Sequence, residues 1–524
     1  MIGAIQRIKQ VILSLSNWKL GITFSIGAIC VGIACVIFAE AAELANHLFL
    51  SFAKKYPYLP LVITPLSMTA IVWLTIKFFP GAQGSGIPQA IAALNTKTKV
   101  GLLSIRIAVG KIILTVLGLL AGGSIGREGP SVHVGSSIMY SLSRFIKFPR
   151  HYFEKALILA GGAAGIAAAF NTPLAGIVFA IEEMNRGFEK RITTIIIIAV
   201  IIAGGTASLI LGPYHYFENA NSNASNDLSI WIAAIVCGAI GGILGGAFAN
   251  ILISGSQRIA PIARKTPLRI AFIAGLCLAI VAFLSDYSAS GTGYLEAKNI
   301  IENNYYDPWY PLNKFLATIA TYLTGIPGGI FAPSLATGAG IGANLAEWFN
   351  IAPFSVMVLL GMASYFSGVV QSPLTAFIIV IEMTTETDII LPLLAATFIA
   401  YIFSKIICPK PLYHTLAQAF IGKERSHTIL VVAPEEVLSR GKKEKRLTVD
   451  TQAGIQVIDP ESDVKTAFIK NRPTLVLSYT GHDTTYDYLY DLSDLANSGT
   501  TVVHFDQLYG TKLKVNSPKI LKNI

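Results

Sequence analysis

Long apolar runs follow one another from residue 21 to about residue 408. The clearest runs approach the ~20 residues that a helix needs to cross a bilayer, and they span residues 21–39, 59–76, 193–211, 230–253 and 270–284. Polar and apolar residues do not alternate with the period of two that a membrane β-barrel requires. The pattern predicts an all-α polytopic membrane protein with the lipid bilayer as its solvent.

The pattern changes near residue 425. Polar residues become frequent, and four segments are typical of strands, namely 427–433, 452–458, 474–479 and 500–505. Segments 464–470 and 488–497 are typical of helices. We therefore expect a short N-terminal segment (1–19), a transmembrane domain (20–425) and a small soluble C-terminal domain of α/β or α+β class (427–524). The residues of this last domain do not indicate its function, and a regulatory ligand is one hypothesis.

Composition supports the membrane class. Of 524 residues, 53% are hydrophobic and only 13% charged, whereas about a quarter of a soluble domain is charged. The formal net charge of +10 comes mainly from loops and the C-terminal tail. These residues indicate cytoplasmic termini in the cell (inner) membrane, not a nucleic-acid partner. The cysteines all lie in or beside apolar runs, so we expect buried thiols and no metal site or cofactor; they are Cys30, Cys35, Cys237, Cys277 and Cys408.

The interruptions of the apolar runs recur in the second half of the chain. Segment 161–182 matches 361–382 at an offset of 200 (361 − 161), 126–135 matches 329–338 at 203, and 84–86 matches 291–293 at 207. The order is kept, which indicates a duplication with copies at about 20–212 and 228–408 and a final short helix at about 411–422. Repeats interrupted by Gly and Pro at corresponding places are typical of transport sites at the repeat interface.

One interruption, Gly126-Arg127-Glu128-Gly129-Pro130, carries charge between two apolar segments. A charge at membrane depth costs about 2.5–3.5 kcal/mol on insertion scales, which makes it a functional-site candidate. The glycines expose backbone N–H groups, and Pro130 suits the first turn of a helix. The pattern predicts a helix N-terminus that binds an anion, with Glu128 as its competitor and therefore as a gate. The second copy, Gly329-Ile330-Phe331-Ala332-Pro333, lacks the carboxylate.

Other candidates leave two hypotheses open. Gly84-Ser85-Gly86-Ile87-Pro88 is either a surface turn or a second helix terminus that presents a hydroxyl to an anion. Lys111 either snorkels to the interface or lies behind an anion path. Glu183 either belongs to a solvated helix end, which its basic surroundings favour, or accepts protons at the cytoplasmic mouth. Tyr413 either joins the interfacial aromatic belt or points inward.

The motifs at 84–88, 126–130 and 329–333, together with Pro411-Leu412-Tyr413, resemble the selectivity filter of the CLC chloride channels and chloride/proton antiporters. The resemblance covers roughly residues 20–425 and includes the duplication. It implies a fold of two inverted repeats and a homodimer with one pathway per subunit. The C-terminal domain does not resemble the paired CBS domains that many members carry.

The resemblance also implies the anion ligands. Ser85 and Tyr413 would bind a central chloride through their hydroxyls, and Ile330 and Phe331 through backbone N–H groups. Nitrate-preferring relatives have proline in place of Ser85, and fluoride exporters differ in this filter, so chloride is the expected anion. Several relatives have acidic residues after the proline of the first motif, where this chain has Gln89, Ile91 and Asn95.

The proton carriers follow from the same resemblance. Glu128 would be the external gating glutamate, Glu183 the internal proton glutamate of the antiporter branch, and Lys111 a basic residue behind the pathway. An arriving anion would favour the neutral form of Glu128, since like charges repel. We therefore expect a transporter, not an enzyme, that exchanges chloride for protons.

Two alternatives differ from this expectation. A passive voltage- or pH-gated chloride channel has the same fold, and Glu183 is the residue that distinguishes it, because channels of the family typically lack this glutamate. An intramembrane hydrolase is a remote alternative, since Gly122-Gly123-Ser124-Ile125-Gly126 fits the pattern G-x-S-x-G. That motif requires a strand–turn–helix elbow, whereas the surrounding pattern is helical.

Overall fold

The computed structural model describes residues 15–96, 99–145, 150–186, 190–212, 217, 228–384, 386 and 388–421, together with four strands of the C-terminal region. The chain divides into two compact units, residues 1–420 and 421–524. The first unit is helical throughout its described part, with a short final helix that ends at Ile421, and the strands lie in the second unit.

The helices of the first unit occur twice in the same order. The first copy comprises α1 (Leu15–Lys55), α2 (Pro60–Phe78), α3 (Ile87–Asn95), α4 (Ile105–Leu120), α5 (Glu128–Ser141), α6 (Arg150–Phe170), α7 (Pro173–Phe179) and α8 (Lys190–Leu211). The second comprises α9 (Leu228–Lys265), α10 (Pro267–Leu284), α11 (Tyr294–Asn303), α12 (Tyr310–Thr324), α13 (Phe331–Phe349), α14 (Phe354–Val370), α15 (Pro373–Thr384) and α16 (Ile390–Ile407), and α17 (Leu412–Ile421) follows. A π-helical turn, Ala180–Asn185, extends α7.

Backbone conformations repeat along with the helices. Gly84 and Gly291 have φ angles of 67° and 68°, and Asn171 and Gln371, which precede α7 and α15, have 54° and 59°. Positive φ angles are uncommon outside glycine, so their recurrence at corresponding positions confirms the duplication in three dimensions. Gln371 holds this conformation with side-chain hydrogen bonds, such as the 2.6 Å bond from Nε2 to the carbonyl of Cys408.

Small residues allow the helices of each copy to pack closely. A Cβ at Gly135 of α5 would overlap the carbonyl of Gly161 on α6, and a Cβ at Gly338 of α13 would lie 2.7 Å from Met362 Cα on α14. Close backbone contact of this kind gives helices van der Waals stabilisation inside a bilayer, where the hydrophobic effect between helices is absent. The Gly/Ala-rich composition of α6 suits this close packing.

The outer surface of this unit is apolar. Among the described helices, α1, α2, α6, α8, α9, α10 and α16 are long and apolar enough to cross a membrane. Large side chains point outward, among them Ile37, Leu209 and Ile406, which are 62%, 88% and 70% exposed. The expectation of buried thiols is wrong for Cys30 and Cys277, which are exposed on this surface, although all five thiols are free. A small apolar side chain has no reason to avoid lipid, so hydropathy does not distinguish core from lipid contact.

The second unit contains a parallel sheet. Its strands are β1 (Ile429–Val432), β2 (Ile455–Ile458), β3 (Leu475–Tyr479) and β4 (Thr501–Phe505), in the order β2-β1-β3-β4. Each of the predicted strand segments therefore contains one strand. Parallel neighbours require crossover connections. The segments predicted as helices, 464–470 and 488–497, lie outside the described residues.

Candidate functional site

The three glycine motifs of the two copies meet at one place. Gly126 and Gly329 exchange both backbone hydrogen bonds, each 2.7 Å long. Gly84 donates its N–H to the carbonyl of Ile326 and accepts the N–H of Gly328, both at 3.2 Å. Loops more than 200 residues apart in the chain are thus tied into one backbone network.

Two helices begin at this network. Glu128 is the first residue of α5 and Phe331 the first of α13. The first N–H groups of a helix have no intrahelical acceptor and carry partial positive charge, so both helix N-termini favour an anion. Glu128 is 1% exposed, and its Oε2 accepts the N–H of Ala332 at 3.4 Å. The carboxylate therefore lies against the N-terminus of α13, where an anion would bind.

Two buried hydroxyls lie beside these N-termini. The hydroxyls of Ser85 and Tyr413 lie close enough to influence each other, and apart from this contact neither has a hydrogen-bond partner in the described part of the chain. A Cβ at Gly129 would overlap Ser85 Oγ, so the glycine leaves room for this hydroxyl. A buried hydroxyl without a partner costs free energy, and both fit donors for a desolvated anion. Both side chains are buried. Ser85 therefore does not lie in a surface turn, and Tyr413 does not join the interfacial aromatic belt.

Tyr413 packs against an aromatic cluster through Phe331. Its ring centroid lies 5.8 Å from that of Phe331, which in turn packs edge to face against Phe366 at 4.8 Å and Phe179 at 5.9 Å. Edge-to-face pairs of this kind are favourable beyond their buried area. The cluster therefore supports the ring of Tyr413 on the side that faces Phe331.

A buried lysine supports each copy of the glycine motif. Lys111 is fully buried, so it does not snorkel, and its Nζ donates to the carbonyl of Gly84 at 3.0 Å. Its counterpart Lys314 (314 − 111 = 203) is also fully buried and donates to the carbonyls of residues 289–291 at 3.1, 3.0 and 2.9 Å. Lys314 was not predicted from the sequence. Extending the repeat at the offset of 203 from the motif at 329–333 toward the N-terminus would have identified it.

Glu183 is a buried residue. It is 1% exposed, and its Oε2 accepts the hydroxyl of Ser372 at 2.7 Å. The hypothesis that Glu183 belongs to a solvated helix end is wrong, because α15 of the second copy covers this end of α7. Tyr413 is close enough to Glu183 and Glu128 to experience the charge of both.

The adjacent residue Glu182 has a different environment. Its carboxylate accepts the N–H groups of Leu374 and Thr375 at 3.1 and 2.7 Å, together with the hydroxyl of Thr375 at 2.7 Å. Glu382 accepts the N–H groups of Leu174 and Ala175 at 3.0 and 2.7 Å. Each of the corresponding helices α7 and α15 thus carries a glutamate that caps the other.

A histidine not predicted from the sequence contacts Glu183. His414 Nε2 lies 2.7 Å from the carbonyl oxygen of Glu183 and 4.0 Å from its Oε1. A quarter of the imidazole is exposed. His414 directly follows Tyr413, so the family motif points to this position in the chain but not to its contact.

A cavity of about 390 Å³ lies beside Glu128. Besides Glu128 and Arg127, charged or titratable residues of α1 and α11 line it, namely Glu40, Glu43, His47 and Lys298. The described residues contain no group of three His, Cys, Asp or Glu that could hold a metal ion.

Ser124, the serine of the G-x-S-x-G pattern, lies between α4 and α5. Its hydroxyl pairs with Thr318 Oγ1 at 2.9 Å, and its N–H donates to Thr321 Oγ1 at 3.1 Å. Helices, not a strand and a helix, flank this turn. The geometry is that of a structural serine, and it does not form a nucleophile elbow.

Comparisons with known proteins agree with this geometry. The family model described as voltage gated chloride channel matches residues 67–405. The H(+)/Cl(-) exchange transporter ClcA of Vibrio cholerae serotype O1 is 30% identical over 427 residues, which are 76% of this chain and 88% of that protein.

Solved structures share the fold. A slow cyanobacterial Cl-/H+ antiporter has 26% identity and a TM-score of 0.67, and the match covers 77% of this chain and 99% of that one. A CLC-type fluoride/proton antiporter, with 23% identity, a TM-score of 0.66 and coverage of 76% and 98%, supports the fold alone. The predicted polytopic helical fold with two inverted repeats is confirmed. The chain belongs to the voltage-gated chloride channel (CLC) family, and it is a multi-pass membrane protein.

Proposed function

We propose that this protein is a secondary active transporter that exchanges chloride for protons across a membrane. The proposal rests above all on the burial of two carboxylates, Glu128 and Glu183, that both act on Tyr413. Charged groups inside a membrane domain are costly and mark ion or proton pathways. Similarity to the H(+)/Cl(-) exchange transporter of Vibrio cholerae and to the cyanobacterial Cl-/H+ antiporter supports the same conclusion.

The anion would bind between the two copies. The hydroxyls of Ser85 and Tyr413 and the N–H groups of Ile330 and Phe331 would replace its water shell. These donors carry partial charges only, so the anion is stabilised in the low-dielectric interior without being held too tightly to leave. Lys111, behind Gly84, adds a positive potential to this region.

The proton would travel on Glu128 and Glu183. An ionised Glu128 lies at the N-terminus of α13 and so competes with chloride for the same N–H groups. Protonation removes this charge and lets the carboxyl leave, and chloride then takes its place. Exchange follows if Glu183 passes a proton to and from Glu128, because each anion that displaces Glu128 requires one protonation.

Reconstituted liposomes test this proposal. A chloride gradient should drive proton movement in the opposite direction, and Glu128→Gln and Glu183→Gln should each abolish it, because an amide cannot carry the proton. Glu347→Gln is the control, since Glu347 is an exposed carboxylate at the far end of α13. Proton movement that survives both substitutions would show that these glutamates are not the carriers.

A passive chloride channel is the second candidate, favoured by the description of the family model that the chain matches. Such a channel would show a reversal potential that follows the chloride gradient and ignores pH. Exchange would instead shift the reversal potential when only pH is changed.

We further propose that the protein is a homodimer of the cell inner membrane with both termini in the cytoplasm. Basic residues at the C-terminal ends of α9 and α16 support assignment of these ends to the cytoplasmic side, where Lys and Arg are enriched. The C-terminal domain would regulate transport through an unknown ligand. Truncation after Gly422 tests this role, because transport that persists unchanged in the shortened protein would exclude it.

A further inference from the structure

We propose that His414 carries protons between the aqueous phase and Glu183, which makes it the inner entry point of the proton path. This inference rests on the proposed exchange function. It assigns a role to a residue that the anion and proton sites described above do not include.

The carboxylate of Glu183 is isolated from solvent. The side chain is 1% exposed, so water has little direct access to its carboxylate. Ser372 occupies Oε2, whereas Oε1 has no hydrogen-bond partner among the described residues. A buried carboxylate oxygen without a partner is costly, and the nearest titratable nitrogen, Nε2 of His414, lies 4.0 Å away.

His414 connects this oxygen to solvent. A quarter of its side chain is exposed, and imidazole is the side chain whose charge ordinarily changes between pH 5 and 8. The hydrogen bond to the carbonyl of Glu183, 2.7 Å long, holds the ring in place. Since a carbonyl only accepts, Nε2 carries the hydrogen in this arrangement, and Nδ1 is the basic nitrogen that is free to take a proton.

The charges around the pair come from several elements. Arg186, after the π-helical turn, acts on both His414 and Glu183. Lys405 of α16 and the neighbouring Glu182 act on Glu183. Burial of the ring and the positive charge of Arg186 both lower the pKa of His414, so the imidazolium is the less stable form and readily gives up its proton.

The proton moves from water to Glu183 in two steps, and each step conserves protons and charge. Water delivers a proton to Nδ1, which forms the imidazolium, and Nε2–H then gives its proton to Oε1 and leaves a neutral imidazole beside a neutral carboxyl. The gap of 4.0 Å exceeds a hydrogen bond by about 1 Å, so a side-chain rotation or one water molecule closes it. Loss of the Nδ1 proton to water and return of a proton to Nε2 restore the ring for the next cycle.

The test uses substitutions that keep the structural hydrogen bond. His414→Gln and His414→Asn retain an amide that can donate to the carbonyl of Glu183 but cannot titrate. A matched control, His414→Gln with Ala419→His, keeps an imidazole on α17 at an exposed position of the same helix. Proton and chloride fluxes are measured in liposomes under a chloride gradient, with equal pH on both sides, from pH 5 to pH 8.

We expect the wild-type proton flux to change with pH in the imidazole range. His414→Gln should lower the proton flux at pH 7 about tenfold or more, the scale of a lost proton-transfer group, and should remove that pH dependence. The control with Ala419→His should behave like His414→Gln. Imidazole buffer should restore proton flux to His414→Ala, because the free base can enter the space of the missing ring.

Each other outcome rejects the inference. A wild-type profile in both amide variants would show that protons reach Glu183 by another route. A loss of proton and chloride flux together, which imidazole does not rescue, would assign His414 a structural role. If the wild-type protein itself moves no protons under a chloride gradient, the proposed exchange fails, and this result is distinct from the failure of His414 alone.

Discussion

Two adjacent glutamates should respond to substitution in opposite ways. Glu182 holds the N-terminus of α15 with three hydrogen bonds of 3.1, 2.7 and 2.7 Å. Glu183 makes one, with Ser372. We expect Glu182→Ala to destabilise the protein and to leave proton transport intact, and Glu183→Gln to abolish proton transport with little loss of stability.

The magnitude for Glu182 follows from its contacts. Removing a side-chain cap from a helix N-terminus costs about 0.5–2 kcal/mol. Charged acceptors raise the value of each bond, but Glu182 is only half-buried and Leu374 is exposed, so water replaces part of what is lost. We therefore expect about 2 kcal/mol, the upper end of the capping range, and a fall of about 2–4 °C in the apparent Tm.

Thermal unfolding of the purified protein in detergent measures this loss, and liposome fluxes measure transport. Glu382→Ala is the matched variant in the other copy, and its two lost bonds predict a somewhat smaller fall in Tm. Because each glutamate caps the helix that carries the other, the double variant tests whether the two losses add. The reasoning fails if Glu182→Ala keeps the wild-type Tm or removes proton transport.

Two further substitutions compare matched positions. Gly129→Ala should lower chloride flux at least about tenfold, since the new Cβ overlaps Ser85 Oγ and overpacking costs about 1–3 kcal/mol. The control Gly205→Ala should keep wild-type flux, because a Cβ there has nothing within 4 Å. Equal fluxes of the two variants would contradict this prediction. Lys314→Met leaves three carbonyls without a donor, at about 1–3 kcal/mol per unsatisfied buried group. In Lys111→Met the carbonyl of Gly84 still accepts the N–H of Gly328. Lys314→Met should therefore lower the apparent Tm more, and a larger fall for Lys111→Met would refute the comparison.

Local signals predict much of this fold. Apolar runs and proline at helix starts place the main helices within a few residues, because each signal acts on the segment that contains it. The four strands of the C-terminal unit follow from short apolar segments in a polar region. The duplication of the glycine motifs predicts that the two copies contact each other. The 2.7 Å hydrogen bonds between Gly126 and Gly329 are part of this contact.

The surroundings that distant segments of the chain create for a residue are harder to predict. Glu183 lies beside basic residues in the sequence, and only the packing of α15 against α7 buries it. Both Glu182 and Glu183 lie in the π-helical turn Ala180–Asn185, and hydropathy contains no signal for such a turn. His414 acquires its contact only because α17 returns to a residue 231 positions earlier in the chain.

The duplication explains why the proposed proton carriers occur singly. Position 128 corresponds to Phe331 (331 − 128 = 203) and position 183 to Met383 (383 − 183 = 200), so the second copy has an apolar side chain at both positions where the first has a proposed proton carrier. Phe331 instead packs against Tyr413, at 5.8 Å between ring centroids. A second carboxylate at position 331 would share the N–H groups that Glu128 uses, and two like charges there would repel each other and any anion. The first copy can therefore supply the titrating groups only if the second copy has neutral side chains at the corresponding positions.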